Sequence, residues 1–381
     1  MIESISVARE KLKTLAGARS SRGFFLTITL STSRLDDWRQ FAPTFLNSEF
    51  NRLTNERATP KEEKRVLQDD LQRVLDVLKY EVPPETQGLA AFADGGAGMF
   101  EQMELPLRLV NRLVVEPSPY VRPVVHALSL LEPFVLVRVS NDDSSIYLLN
   151  EWRLAQEDDF AGPHLRSTDR QTGELAVKEY YAAARVDQLE ELHHKEVATA
   201  LAKLLESSGV RRVALCAQHD IAKAFLRLLP TAVAAKVVAE IPWDAAATTN
   251  QMLVTAREAV ETARRKEMEA LAARINEGLG SGGRGVAGFA EVLGALNRHQ
   301  VQKLLVDRNY RVPGWRCRDC DWVALATAVR CPDCAGGVVP IADAVGELVR
   351  LAVLQNAFVE VGEDMPLLDE LGGVAGVLRY A

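Results

Sequence analysis

Cysteine is scarce in this chain: there are five in 381 residues, and four of them fall between positions 317 and 334. A disulfide framework would spread its cysteines along the chain, so the expected compartment is the reducing cytoplasm. Long apolar runs are missing too. None approaches the roughly 18–20 residues that cross a bilayer, so no membrane partner is expected. The opening MIESISVAREKLKTLAG is charged and amphipathic and has no apolar stretch of a secretory signal. Nor is there an excess of basic charge. A net charge of −7 excludes a generally basic nucleic-acid coat but permits local cationic patches on an acidic body. Core-forming material is ample, with 48% hydrophobic and 25% charged residues, and the length suggests two or three globular domains.

The clustered cysteines form CRDCDWVALATAVRCPDC, a C-x2-C-x10-C-x2-C pattern. Two C-x-x-C turns bring four thiolates to one tetrahedral ion, and zinc prefers sulfur at that geometry. Cys317, Cys320, Cys331 and Cys334 would fill the whole shell. One Zn2+ held this way is structural, because no position remains for water or substrate. The fifth, Cys216 in RRVALCAQ, reads as a buried strand residue without chemistry.

Hydrophobic periodicity gives the remaining elements. GFFLTITLST (23–32) reads as a buried strand, and 36–53 and 64–81 as helices on either side of the polar loop TNERATPKEE (54–63). Residues 86–105 read as strand, Gly-rich turn and strand, and 110–132 as a proline-marked exit. A hairpin follows at 133–152, then a polar stretch (157–179), then a long helix to residue 209. Strand, helix and strand alternate through RRVALCAQ, DIAKAFLRLLP and KVVAEIPW, which predicts a mainly parallel sheet. His193 and His194, among Glu190, Glu191 and Glu196, read as part of a solvated helix face. Residues 249–280 form a long charged helix, and GSGGRG (280–285) a flexible joint rather than a phosphate loop. Helix, strand, knuckle, helix and strand complete the chain.

The expected fold is therefore α/β in three domains. An N-terminal α/β domain spans 1–131 and a middle α/β domain 132–248. A connecting helix and joint (249–284) lead to a C-terminal αβα domain (285–381) that carries the zinc ribbon (315–337) as an insertion.

Nearly the whole chain resembles the archaeo-eukaryotic class 1 release factors and their Pelota relatives. LDELGGVAGVLRY (368–380) is similar to their closing motif, and LGALNRHQVQKLLVDRN (293–309) to their third-domain helix and strand. Archaeal members place a cysteine-paired insert after that strand, as here. The acidic, divergent character is similar to the bacterial branch, which includes Balon-like ribosome hibernation factors. The resemblance implies a tRNA-mimicking protein that enters the ribosomal A site, contacts rRNA and arrives with an elongation-type translational GTPase, as a monomer.

Peptide release is not implied. The family's Gly-Gly-Gln loop corresponds to AGPHLRSTDRQTGELAVKE (161–179), where Asp169 and Arg170 precede Gln171 and no Gly-Gly pair occurs. The family's Asn-Ile-Lys-Ser motif is likewise missing near TNERATPKEE. The expected function is thus non-catalytic ribosome binding in hibernation, rescue or stress. The alternatives are a divergent peptidyl-tRNA hydrolase built around Gln171, and a non-ribosomal interaction protein on the same fold. Candidate RNA contacts are Arg52, Arg57, Lys61, Lys64 and Arg65 at the decoding-end loop, with Arg166, Arg170, Gln171 and Lys178 near the middle-domain loop. Such side chains bind phosphates without reading sequence.

Overall fold

A computed structural model of the chain describes residues 5–380, apart from 21–23, 34–36, 58, 81, 151–152, 162–174, 245 and 281. The chain divides into two compact units. One joins Met1–Leu130 to Met268–Ala381, and the other is Leu131–Glu267.

The discontinuous unit begins with α1 (Ile5–Gly17), β1 (Phe25–Ser31), α2 (Trp38–Glu56) and α3 (Lys61–Tyr80). The hairpin β2 (Gly88–Asp94) and β3 (Met99–Leu105) follows, then β4 (Arg112–Glu116) and α4 (Arg122–Leu130). The four strands form one sheet in the order β3-β2-β1-β4, with β1 antiparallel to both β2 and β4. β1 and β2 are almost wholly buried, as their apolar sequences require. Leu67, Leu71, Val74 and Leu78 of α3 recur at helical spacing and pack with Trp38, Leu46 and Phe50 of α2 over Leu26, Ile28 and Leu30. Residues 110–132 are more than the exit the prolines suggested. RLVVE is a fourth strand, and Pro123 falls in the first turn of α4, where a missing N–H costs no helical bond.

The continuous unit holds β5 (Phe134–Val139), β6 (Asp143–Asn150), β7 (Arg153–Ala161), α5 (Leu175–Ser208), β8 (Val213–Ala217), α6 (His219–Leu228), the one-turn α7 (Thr231–Ala234) and β9 (Val237–Pro242). Its sheet runs β7-β6-β5-β8-β9. β5, β8 and β9 are parallel as expected, whereas β6 and β7 are antiparallel. The start of the polar stretch is thus strand β7. It lies at the sheet edge, where mostly exposed polar side chains are tolerated. Val197, Leu201 and Leu205 of α5 cover one face of the sheet with Phe225 of α6. Met252, Ala256 and Val260 cover the other. These belong to α8 (Thr249–Glu277).

The later turns of α8 return to the discontinuous unit, where Met268, Leu271, Ala272 and Ile275 pack with Leu305, Met365 and Leu368. The expected flexible joint is a closed turn: the Gly285 N–H donates to the Gly278 carbonyl at 2.9 Å. β10 (Gly285–Ala287), α9 (Phe289–Asn297) and β11 (Val301–Asp307) come next. The ribbon strands β12 (Gly314–Cys317), β13 (Val323–Ala324) and β14 (Val338–Ile341) form their own sheet, ordered β13-β12-β14. α10 (Ala344–Leu354), β15 (Phe358–Gly362), α11 (Pro366–Glu370) and β16 (Val374–Leu378) complete the chain, with a second sheet β10-β16-β11-β15. In the closing motif Gly372 and Gly373 adopt φ of 81° and 72°, and a Cβ on Gly373 would lie 2.3 Å from the Tyr310 ring. Only glycine meets both demands there.

Candidate functional site

The four cysteines converge as their spacing predicts. Cys317 ends β12, and its N–H donates to the Trp322 carbonyl at 3.0 Å, closing the first C-x-x-C turn. The Asp319 N–H donates to the Cys317 sulfur at 3.3 Å. In the second turn the Cys331 N–H donates to Gly336 O and the Ala335 N–H to Cys331 O, both at 2.9 Å. A Cβ on Gly336 would lie 3.0 Å from the Cys317 sulfur and 2.1 Å from Asp319 Oδ2, so a glycine leaves room for the thiolates.

All four sulfurs lie within 4.8 Å of one another, with Cys317–Cys334 and Cys320–Cys331 each at 3.4 Å. These separations are too long for disulfides. They bracket the roughly 3.8 Å edge of a tetrahedron built on Zn–S bonds of about 2.3 Å. The donor set fits one metal ion. Burial opposes ionisation of Cys331, but the N–H groups of Cys334 and Asp333 outweigh it and hold that thiol below its ordinary pKa.

The knuckle is fastened by a buried ionic cluster that sequence reasoning missed. Arg316, Glu347 and Arg350 are at most 3% exposed, so their charges must be met inside the protein. Glu347 Oε2 lies 2.8 Å from Arg350 Nε and 3.3 Å from Arg316 Nε, and its other oxygen accepts from Ser118 Oγ at 2.7 Å. Burial opposes ionisation of Glu347, yet the two arginines keep its pKa below the ordinary value. Arg350 also donates to the Ala16 carbonyl at 2.8 Å and to Asp321 Oδ1, in the knuckle, at 2.5 Å. Arg19 reaches the other Asp321 oxygen at 2.6 Å. Nearby, Asp343 accepts from Arg122 and from the Tyr120 hydroxyl, each at 2.7 Å, while Arg122 Nη2 donates to the carbonyls of Asp307 and Tyr310 at 2.8 Å. The cluster ties residues 16–122 to residues 307–350 within one unit.

One carboxylate there is only weakly offset by its neighbouring arginines, Arg316 and Arg57. Glu116 is buried and accepts the Ala342 N–H at 3.2 Å, and burial, with Glu347 and Asp343 nearby, pushes its pKa up to about 8. The folded state then holds this proton up to about pH 8, while the unfolded chain releases it near 4.5. Stability from this group is therefore highest below pH 4.5 and falls as the pH rises to 8, by on the order of 5 kcal/mol. Glu116→Gln keeps the acceptor and removes the titration. Thermal unfolding should show the two proteins converging near pH 4.5 and the variant more stable at pH 9. Parallel pH profiles would refute this.

The candidate RNA contacts are dispersed by the structure. Arg52 is not in a loop: it lies in α2 and bonds Glu49 at 2.7 Å and Glu56 at 2.9 Å. Arg57 is half-buried, its guanidinium 4.1 Å from the Phe24 ring centre and bonded to the Val115 carbonyl. The polar loop misled because α2 runs three residues further than the apolar pattern shows and α3 starts right after Pro60. Lys61, Lys64 and Arg65 occupy the first two turns of α3, with Lys61 and Arg65 exposed. Arg166, Arg170 and Gln171 lie outside the described residues, and Lys178 lies on α5.

His193 and His194 are not on a solvated face; both are 5% exposed. His193 Nε2 meets Ser144 Oγ at 2.9 Å, and His194 Nε2 meets the Ser140 carbonyl at 3.3 Å. Burial, then the neighbouring His194, lowers the His193 pKa. Cys216 is a buried β8 residue, its thiol pKa raised by burial. Among the described residues no helix is long and apolar enough to cross a membrane.

Comparison with known proteins places this architecture. Residues 119–261, which contain the continuous unit except residues 262–267, match the family described as Bacterial archaeo-eukaryotic release factor family 10. Over that segment the chain resembles the bacterial branch of the archaeo-eukaryotic release factors. No curated protein matches the chain. Among solved structures it is similar to the archaeal translation termination factor aRF1, with 17% identity over 100% of this chain and 99% of that one and a TM-score of 0.28. Ribosome-bound archaeal Pelota, from a model with ABCE1, gives 13% identity over 100% and 95% and a TM-score of 0.41. Dom34 of S. cerevisiae, described as a translation termination-like factor, gives 10% identity over 74% and 72% and a TM-score of 0.34. These three TM-scores are below 0.5, so the likeness rests on the match of residues 119–261 alone.

Proposed function

We propose that this protein is a non-catalytic, tRNA-mimicking factor that binds the ribosome and occupies its A site during hibernation, rescue or stress. The carrying observation is the match of residues 119–261 to a release-factor family, in a segment where Gln171 follows Asp169 and Arg170 instead of two glycines. Backbone geometry reserved for glycine is then closed to the loop, and with it the family's way of presenting a glutamine to the ester bond. Binding would rest on phosphate contacts, with Lys61 and Arg65 as exposed contributors, and delivery on an elongation-type GTPase. The knuckle's ion is zinc, in a scaffolding role.

Co-sedimentation with bacterial ribosomes across a salt series tests this reading. The expected result is binding that weakens steeply with salt and is competed away by A-site tRNA, with no hydrolysis of peptidyl-tRNA. Absence of binding at low salt defeats the ribosomal reading, and rapid peptidyl-tRNA hydrolysis defeats the non-catalytic one.

A further inference from the structure

The discontinuous unit contains a cavity of about 350 Å³ with an unusual charge balance for an acidic protein. It is lined by the approach to β4 and its first residue, by α4 and the residues before it, and by residues 308, 311 and 361. Arg108, Arg112, Arg122, Arg308 and Arg311 all face it, with His126, and no acidic residue lines it among the described residues. Arg122 is met by Asp343 and Arg308 by Glu363, each at 2.7 Å. Arg108 donates to Ser33 Oγ at 3.1 Å. Arg112 has no carboxylate partner among the described residues; it packs over the Tyr120 ring at 5.6 Å and donates to its hydroxyl at 3.4 Å. Arg311 is exposed and pairs with no described acidic residue.

Gathering guanidinium groups around a concave space is electrostatically unfavourable unless an anion enters it, and the planar fork of arginine matches phosphate oxygens in pairs. Much of the rest of the wall is apolar, from Leu107, Leu109, Pro123, Ala127 and Leu130, with Thr29 and Gln87 as neutral polar members. An inorganic ion would leave that wall unused. A ligand with both a ring system and phosphates would use both surfaces, and the volume lies in the range of small-molecule sites.

We infer that the arginine-lined cavity between the start of β4, α4 and the segment after β11 binds a phosphorylated nucleotide, either free or as the terminal nucleotide of an RNA strand. This site is separate from the metal centre and does not rest on the ribosomal reading.

Calorimetric titration of the full chain, without ribosomes, tests the assignment with three probes: pyrophosphate, ADP, and a short 5′-phosphorylated RNA oligonucleotide. At least one nucleotide probe should bind more tightly than pyrophosphate, with affinity falling as salt rises. ADP binding with no oligonucleotide binding identifies a free nucleotide, and the reverse identifies an RNA end. Arg112→Ala/Arg311→Ala should weaken binding at least tenfold with an unchanged thermal melt. The exposed Arg311→Ala alone should weaken it severalfold, and Lys266→Ala, on α8, should leave it unchanged. The assignment is overturned if no probe binds, if pyrophosphate binds as tightly as both nucleotide probes, or if Arg311→Ala binds like the wild type.

Discussion

Glu347→Ala is expected to destabilise the discontinuous unit by about 3–5 kcal/mol, the range for breaking a buried ion pair by removing one partner. The reason lies in what remains. Arg316 and Arg350 are each 1% exposed, and both contact the same Glu347 oxygen. Without it Arg350 keeps Asp321 and the Ala16 carbonyl, but Arg316 keeps only a 3.8 Å approach to Asp321. Its Nη1 has no hydrogen-bond partner even in the intact cluster. A guanidinium left that way in the interior is costly, because water cannot replace the lost carboxylate. The measurement is thermal unfolding near pH 7, with a midpoint for this unit lowered by on the order of 10 °C. A second variant separates charge from packing. Glu347→Leu combined with Arg316→Met and Arg350→Met replaces the cluster by apolar groups and should recover much of the loss. Equal destabilisation in both variants would mean that the cluster acts by shape and not by charge.

That cluster also shows where sequence reading stops. Helices α2 and α3 were legible from a periodic apolar face, and strands β1, β2, β5 and β8 from short, almost wholly buried apolar runs. The knuckle was legible because ligand spacing is a local property. Arg316, Glu347 and Arg350 looked like ordinary surface charges, since nothing local distinguishes a charge buried by partners more than 200 positions away, such as Ser118. The same holds for Arg112 and Arg311, whose shared cavity exists only because residues 107–130 and 308–361 meet in the fold. His193 and His194 were masked by flanking glutamates. The two rings point inward, toward Ser144 and Ser140. β7 was missed for a different reason: LAQEDDFA lacks apolar alternation because an edge strand takes its stability from backbone pairing with β6.

The discontinuous unit gives the knuckle a larger role than an appended finger would have. A finger on a tether unfolds by itself when its metal leaves. Here the first C-x-x-C turn leads into Asp321, which receives Arg350 from α10 and Arg19 from the segment after α1. β12 carries both Cys317 and the buried Arg316. Arg318, from the same turn, stacks 4.7 Å from the Phe24 ring, on the opposite half of the unit's sequence. The cysteine site, the ion pairs and the joining of the two chain segments are therefore linked.

Removal of the metal should accordingly produce the other large effect. Purified protein is expected to carry one zinc per chain. Cys331→Ser or strong chelation should release it and unfold β12, β13 and β14, because the short strands bury too little apolar surface to persist without the ion. Structural zinc supplies roughly 10–16 kcal/mol in isolated finger peptides, well above the stability of such a ribbon. Loss should not stop at the knuckle. As Asp321 and Arg316 move away, Arg350 and Glu347 lose partners inside the protein, and α10 should lose hydrogen-exchange protection with the ribbon. The sheet β7-β6-β5-β8-β9 belongs to the other unit and should keep its protection. Cys216→Ser, within that second sheet, should leave the zinc content unchanged. Hydrogen exchange with metal analysis on the same samples decides the matter. Protection lost in the ribbon alone would make the metal a local staple, and metal-free wild-type protein with a protected ribbon would remove zinc from the account. Protection lost from the ribbon through α10 would show one ion helping to hold together a unit assembled from both ends of the sequence.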